Sequence, residues 1–432
     1  MSQRIQSIRG MHDVLPSENA LWRTLERTAE AVFAAYGYEQ IRLPIMERTG
    51  LFERGVGEVT DIVEKELYTF EDRGGESMSL RPEGTASAVR AGIQHGLLHN
   101  ATQRLWYVGP MFRYERPQKG RQRQFHQFGI EAFGQPGPDV DIEQIAMSAR
   151  LFKKLGITGL RLEINTLGTP AERAAYRDAL HAYFHAHYDQ LDADSQRRLD
   201  RNPLRILDSK NPELAALIAE APSLTEYLGE ESAAHFDGLC DGIKALGIEY
   251  TINPRLVRGL DYYTRTVFEW LTDDLGAQNA VCSGGRFDGL VDQLGGSDTP
   301  ATGFAMGVER VVALMQAQDV ALEDMAPHAY LVHTGDRAAA RVTAVAEQLR
   351  DQLPDLRLRV HAGGGSFKSQ FKKADKSGAR LALVFGDDEA ENDTLQIKPL
   401  TDDRSQTHVS LSEAPARIQA LLADTPHDDT TR

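Results

Sequence analysis

Apolar and polar positions follow two rhythms over about the first 165 residues. A 3.6-residue rhythm predicts a helix from Asn19 to Tyr36, and two-residue alternation predicts strands from Tyr38 to Leu43, Leu105 to Arg113 and Gln124 to Phe133. Leu67 to Phe70 and Met78 to Arg81, joined across Asp72, Arg73, Gly74 and Gly75, read as a hairpin. These short connections favour an antiparallel sheet. On the strand from Gln124, alternation puts Phe125, Gln127, Gly129, Glu131 and Phe133 on one face and His126, Phe128, Ile130 and Ala132 on the other. A carboxylate, an amide and a glycine between two phenylalanines suit a pocket floor better than an open polar face. His126 falls on the apolar side, as a core histidine does.

From about Pro170 to Gly247 the pattern turns helical, in segments such as AERAAYRDALHAYFHAHYD and ESAAHFDGLCDGIKALG. Strands resume at Arg265 to Leu271 and Ala280 to Phe287, and a helix entered through glycines starts at Val308. A helical insertion at about 170–248 within a sheet domain spanning 1–325 accounts for that order. After a linker-like stretch from Gln316 to Pro327, AYLVHT, RLRVH and RLALVF alternate with helices in the β-α-β manner, which predicts a separate α/β domain at 328–424. Residues 425–432 read as a disordered acidic tail. The fold class expected is α+β.

At 432 residues and 41% hydrophobic content the chain is too long for one ordinary core, in keeping with several domains. No apolar run approaches the roughly 18 to 20 residues of a membrane span. The opening MSQRIQSIRGMHDVLP lacks the apolar core of a signal peptide, so a cytoplasmic protein without membrane association is expected. Cys240 and Cys282 lack CxxC spacing, which argues against a disulfide framework or a structural zinc site, and both read as buried small residues. The net charge of -15 would repel nucleic acid if it were evenly spread. It is not: five basic residues, Lys119 among them, face one acid from Arg113 to Arg123, and eight face three from Arg350 to Arg380. Such islands are what a polyanion-binding surface needs, and solvated charge is the plainer alternative for each.

Neither a GxxxxGKS/T loop nor a GxGxxG turn after a strand is present, so a bound nucleotide must be held by arginine, whose planar fork pairs with phosphate oxygens and stays charged at any working pH. Three arginines stand at element ends: Arg113, Arg258 in RLVRGLDYY, and Arg310 in the first turn of the helix entered through Gly303 and Gly307. Arg310 opposes the helix dipole there and calls for an anion, either a ligand or a carboxylate such as Glu309. RPEGT sets Glu83 and Thr85 two apart, and Glu83 either holds an ammonium or caps a helix. Gln127, Glu131 and the phenols of Tyr262 and Tyr263 complete the polar set.

Taken together, these segments resemble the histidyl-tRNA synthetase family of class II aminoacyl-tRNA synthetases. YGYEQIRLPIMERTGLF, GPMFRYERPQKGRQRQFHQFGIEAFG and GFAMGVERVVALM look like the three motifs of the class, and RLVRGLDYYTRTVFE and SGGRFDGL like the two peptides of the histidine enzymes. With RPEGT and the terminal domain included, the resemblance covers essentially the whole chain. Phe287 stands where tyrosine is expected, which leaves that hydroxyl's contacts in question.

The resemblance implies an antiparallel-sheet catalytic domain with a helical insertion, a C-terminal anticodon-binding α/β domain, and a homodimer formed around Pro44. It implies activation of L-histidine by ATP, with Mg2+, to a histidyl-adenylate, followed by transfer to histidine tRNA. Arg113, Arg121, Phe125, Gln127 and Arg310 would bind ATP, with Arg113 on the α-phosphate and the substrate carboxylate, Phe125 on adenine and Arg310 on the γ-phosphate. Arg258 would stabilise the α-phosphate charge as catalytic arginine beside Arg113. Glu83, Thr85 and Gln127 would hold the amino group, Glu131 and Tyr263 the imidazole, with Tyr262 beside them. Gln118 would read the terminal base pair of the tRNA acceptor, with Arg116 and Arg123 on phosphate. Lys368, Lys372 and Lys376 form one side of a helix that either lies near the anticodon stem or is simply solvated. The rival reading is a catalytically silent synthetase-like subunit that binds histidine for regulation.

Overall fold

Leu25, Ala29, Val32 and Phe33 recur at helical spacing on one face of α1 (Asn19–Ala35), and that face is buried. In this computed structural model, which describes residues 4–57, 60–118, 120–200, 202–207, 209, 211–276, 279–322, 324–401 and 404–423, the chain forms two compact units, Met1–Glu323 and Asp324–Arg432. Lys119 and the tail at 425–432 lie outside the described residues.

After α1 comes β1 (Glu39–Gln40), shorter than the strand expected from Tyr38 to Leu43. It pairs with the neighbouring strand only at Glu39 and Gln40, and Pro44 soon afterwards has no amide with which to extend a ladder. β2 (Met46–Arg48), α2 (Thr49–Val56), β3 (Tyr68–Glu71) and β4 (Ser77–Leu80) follow. The three strands form a small sheet of their own in the order β2-β4-β3. The predicted hairpin turns where Asp72 Oδ1 accepts the amides of Gly74 and Glu76 at 2.8 and 2.9 Å.

The chain then runs through α3 (Thr85–Gln94), β5 (Gln103–Phe112), β6 (Gln124–Phe133), α4 (Asp139–Lys154) and β7 (Arg161–Thr166). Among the described residues no strand occurs between Thr166 and Tyr250, only α5 (Pro170–Ala186), α6 (Ala193–Leu199), α7 (Ala215–Ala219), α8 (Glu230–Ala245) and short 3-10 turns. A reciprocal cap starts α5: Thr169 Oγ1 accepts the Glu172 amide, and Glu172 returns the bond to the Thr169 amide at 2.6 Å. Tyr176, Leu180 and Phe184 of α5 share a core with Leu199, Ile206 and Leu214.

β8 (Tyr250–Ile252), β9 (Thr264–Leu271), β10 (Ala280–Arg286), α9 (Leu290–Gln293), β11 (Ala301–Gly307) and α10 (Val308–Ala317) complete the unit. The main sheet has the order β1-β5-β6-β11-β10-β9-β7-β8, antiparallel except for the parallel edge pairs β1 with β5 and β7 with β8. β11 corrects the sequence reading, because Gly303 lies inside a central strand rather than at a helix entrance. A side chain there would place its Cβ 2.0 Å from Glu131 Oε2 and 2.5 Å from the Ile130 carbonyl. One face of the sheet packs Phe128, Ile130 and Ala132 against α1, α4, α8 and α10, so the apolar face of β6 is the core face the alternation predicted. Cys282 is buried and Cys240 half-buried, and neither forms a disulfide.

In the second unit β12 (Ala329–His333), α11 (Asp336–Gln352), β13 (Leu358–Val360), α12 (Phe367–Lys376) and β14 (Leu381–Phe385) follow the β-α-β pattern, with parallel pairing of β12 to β13 and β14. α13 (Asp387–Asn392) leads to β15 (Thr394–Pro399) and β16 (Thr407–Ser410), two antiparallel additions that the sequence reading missed, and α14 (Ala414–Ala423) is the last element of the described residues. On α12 Lys368, Lys372 and Lys376 are exposed while Gln370 and Ala374 are buried. No helix of the described residues is long and apolar enough to cross a membrane.

Candidate active site

The other face of the main sheet floors a cavity that runs across β5, β6, β11 and β10. Its floor is set by cross-strand register: Tyr107 of β5 pairs with Gly129 of β6, and Glu131 of β6 with Gly303 of β11. Both glycines are small for a steric reason. A Cβ on Gly129 would lie 2.0 Å from the Tyr107 ring, and one on Gly84 2.2 Å from the same ring. Tyr107 therefore spreads over two glycines, a placement that period-two reading of one strand could not reveal.

One end of the cavity is acidic. Glu83 Oε2 and Oε1 accept the amides of Thr85 and Ala86 at 2.7 and 2.9 Å, so Glu83 caps α3 and lines the cavity at once. Thr85 Oγ1 and the Tyr107 hydroxyl both donate to Glu131 Oε1, at 2.8 and 2.9 Å. Glu131 itself is 1% exposed and lies behind Thr85, Tyr107 and Gly303, which are the groups that face the cavity. Its Oε2 is buried and has no hydrogen-bond partner among the described residues. Burial pushes the Glu131 carboxyl up to about 8, against the two donated bonds. Burial likewise raises Glu83, opposed by the amides it caps.

The other end is basic. Arg113, Arg121 and Arg310 all line the cavity, with Glu115 and Glu309 beside them. Arg310, in the first turn of α10, donates to the carbonyls of Gly120 and Ala280 at 3.1 and 2.6 Å. Burial, then the neighbouring Arg121 and Arg113 charges, hold its guanidinium below the ordinary arginine value. Glu309, one of the anions the sequence offered for it, is engaged elsewhere: that carboxylate takes the His126 amide and ring Nδ1, each at 2.9 Å, and closes the core side of β6. Arg121 pairs with Glu115. The Arg113 guanidinium lies 5.3 Å from the Phe125 ring centre, and its Nε donates to the Pro82 carbonyl at 2.9 Å.

Arg258 lies between the two ends with Tyr262 and Tyr263. It pairs with Glu269 across 11 residues, a partner the sequence did not suggest, and its guanidinium sits 5.5 Å from the Tyr263 ring centre. Burial alone would depress Arg258, but Glu269 and the Tyr263 phenol outweigh it and keep the charge in place. Phe287 is buried against Phe133 and Tyr262, with ring centres 6.3 and 5.7 Å away, and fills its place by packing alone. Arg286 of the same peptide is also buried, bonded to Asp141, Asp288 and the carbonyls of Gln135 and Gly137. That arginine is structural.

The cavity thus gathers Glu83, Thr85, Arg113, Arg121, Phe125, Gln127, Arg258, Tyr262, Tyr263 and Arg310, with Glu131 one layer behind. Arg116, Gln118 and Arg123 do not line it; they belong to the loop between β5 and β6, where Arg116 and Gln118 are exposed and Arg123 is half-buried. Tyr107 and Glu269 were missed, and Glu309 was named only as a possible partner of Arg310. The Tyr107 and Gly129 pairing was the available signal for the first; the contact of Glu309 with His126 spans 183 residues.

This division into an acid end and an arginine end belongs with two whole-domain matches. The histidyl-tRNA synthetase family model matches residues 10–311, and an anticodon-binding domain model matches residues 328–421. The chain belongs to the histidyl-tRNA synthetase family. The histidine--tRNA ligase of Halorhodospira halophila (strain DSM 244 / SL1) is 57% identical over 418 residues, covering 97% of this chain and 98% of that protein. The crystal structure of apo S. aureus histidyl-tRNA synthetase superposes with a TM-score of 0.81 at 34% identity, covering 96% of this chain and all of that one. A Bacillus halodurans C structure described as an ATP phosphoribosyltransferase regulatory subunit/histidyl-tRNA synthetase shares the fold, with a TM-score of 0.62 at 22% identity over 89% of this chain and 99% of that one. A synthetase-family fold is thus a class II catalytic sheet with a separate anticodon-binding domain.

Proposed function

We propose that this chain is a histidine-tRNA ligase that joins L-histidine to its tRNA through a histidyl-adenylate. Family membership and the near full-length ligase relative support histidine, ATP and tRNA as the substrates. The observation that carries the reading at the level of chemistry is the convergence of three guanidiniums, Arg113, Arg121 and Arg310, on a cavity whose far end holds two buried carboxyls.

The triphosphate lies along the arginine end, with Arg113 on the α-phosphate, Arg310 on the γ-phosphate and adenine against Phe125. The histidine ammonium meets Glu83, Thr85 and Gln127. The imidazole is read by Tyr263, with Tyr262 beside it, and by Glu131 acting from behind through Thr85 and Tyr107. A histidine carboxylate oxygen attacks the α-phosphorus, the bond to the bridging oxygen breaks, and pyrophosphate leaves. Arg258, kept charged by Glu269, stabilises the charge that builds on the α-phosphate. A hydroxyl of the terminal tRNA ribose then takes the acyl group and AMP leaves. Neither step needs a protein nucleophile, so positioning and charge supply the catalysis.

Among the described residues no cluster of three or more His, Cys, Asp or Glu side chains is arranged for a metal. Mg2+ would be held mainly by substrate phosphates and water, with Glu115 and Glu309 the carboxylates within the basic end. When bound it neutralises phosphate charge. Arg116 and Arg123 contact acceptor phosphates and Gln118 the terminal base pair. The protein works in the cytoplasm as a homodimer formed around Pro44, where Ile45 and Met46 are 44% and 43% exposed.

Pyrophosphate exchange measured with each amino acid tests the proposal. Histidine alone should support exchange. Exchange with a different amino acid would redirect the assignment, and histidine binding without exchange would favour the silent regulatory reading.

A further inference from the structure

Residues 4–19 precede and open α1, and Gly10 is the only one of them that is buried. It stands in a tight turn closed by the Met11 amide on the Ile8 carbonyl at 2.9 Å, with φ of +86°, a backbone conformation that suits glycine. Its carbonyl accepts two amides from the far end of the β5–β6 loop, Arg123 at 2.7 Å and Gln124 at 3.2 Å. Its missing side chain is filled by that same loop: a Cβ would lie 2.9 Å from Pro117 Cγ and 3.0 Å from Arg123 Cγ.

Arg123 is the residue through which this contact reaches the loop. Its carbonyl accepts the Arg113 amide at 3.0 Å and so joins the two feet of the loop. Its guanidinium lies 3.9 Å from the Tyr114 ring centre, and its Nε donates to the Glu115 carbonyl at 3.2 Å. Held flat in this way, the arginine braces the exposed segment that carries Arg116 and Gln118.

We propose that the Ile8–Met11 turn is a positioning element for the β5–β6 loop, with Gly10 as its positioning residue, and that it presents the loop to the acceptor end of the tRNA. The second half rests on the reading of that loop given above. Residues 4–18 are then a brace for substrate contact, although none of them lines the cavity.

Gly10→Ala combines backbone strain with the clash against Pro117 and Arg123. Gly37→Ala is the matched control, because Gly37 has φ of +76° but nothing within 4 Å of an added Cβ. A chain begun at Met11 removes the turn without a clash. Hydrogen exchange over residues 113–124 reads the brace directly. Gly10→Ala and the shortened chain should speed it about tenfold, the size expected from weakening or losing the bonds to the Gly10 carbonyl, and Gly37→Ala should leave it unchanged. The KM for tRNA should rise about tenfold in the first two, with the KM for histidine unmoved. Unchanged exchange in the loop overturns the positioning role. Faster exchange with an unchanged KM for tRNA overturns instead the assignment of the loop to the acceptor end, and a KM for histidine that rises equally would show a general disturbance of the fold.

Discussion

Replacing Glu131 by Gln should remove the share of the pH dependence of stability that this carboxyl supplies. The carboxyl is sealed beneath Thr85 and Tyr107 and its proton is held to about 8, against 4.5 for an ordinary glutamate. Between those two values the folded state binds more protons than the unfolded one, so stability is fully present below about pH 4.5 and falls as pH rises through 8. Each pH unit inside that window costs about 1.4 kcal/mol, and the whole window on the order of 4 to 5 kcal/mol. Glutamine keeps an acceptor for Thr85 and Tyr107 and does not titrate. The three tryptophans, Trp22, Trp106 and Trp270, all lie in the first unit, so fluorescence-detected urea unfolding reports on the unit that contains Glu131. Measured from pH 5.5 to 8.5, the variant should gain on the parent by several kcal/mol toward the alkaline side. Two parallel curves, offset by the same amount at every pH, would refute a buried protonated acid at this position.

Arg258→Ala should cut single-turnover adenylate formation by orders of magnitude. It also strands Glu269, whose side chain is only 17% exposed, and should destabilise the protein by about 2 to 4 kcal/mol. Adding Glu269→Gln should restore unfolding stability without restoring activation; recovery of both would make Arg258 a mere counter-ion. Gly129→Ala drives a methyl into the Tyr107 ring and should cost about 1 to 3 kcal/mol. Calorimetry should show histidine affinity falling more than ATP affinity, and equal losses would detach Tyr107 from the amino-acid end of the cavity.

Much of this architecture can be read where the information is local. Period-two alternation in β6 separated the pocket face from the core face because one strand carries both, and the β-α-β rhythm of the terminal unit follows from apolar runs bounded by helical pattern. β11 escaped because ATGFAMG is rich in small residues, and glycines that permit close sheet packing look, in one dimension, like glycines that let a helix begin. Tyr107 escaped because its importance lies in register, opposite Gly129, and register is a property of two strands. Glu83 shows a different limit: the helix-capping and ligand-facing readings looked like alternatives, yet the side chain both caps α3 and lines the cavity.

The charge arrangement explains why the arginines could be recognised singly but not ranked. Glu309, adjacent to Arg310 in sequence, is spent on His126, while Glu269 and Glu115 serve Arg258 and Arg121. Arg310 feels the repulsion of Arg121 and Arg113 on top of a burial that already penalises its charge, and Glu115 and Glu269 offset this only in part. A folded protein that carries such an imbalance gives up stability in the ligand-free state, and a polyanion bound there returns it, since anything that binds only the folded form stabilises that form. At the acid end burial makes both Glu83 and Glu131 harder to ionise, and the Glu83 charge adds to this at Glu131. An ammonium relieves that strain as a triphosphate relieves the arginines. A ligand that bears a cation at one end and meets a polyphosphate at the other fits both excesses at once, and a histidine lying head-on to ATP has that distribution of charge.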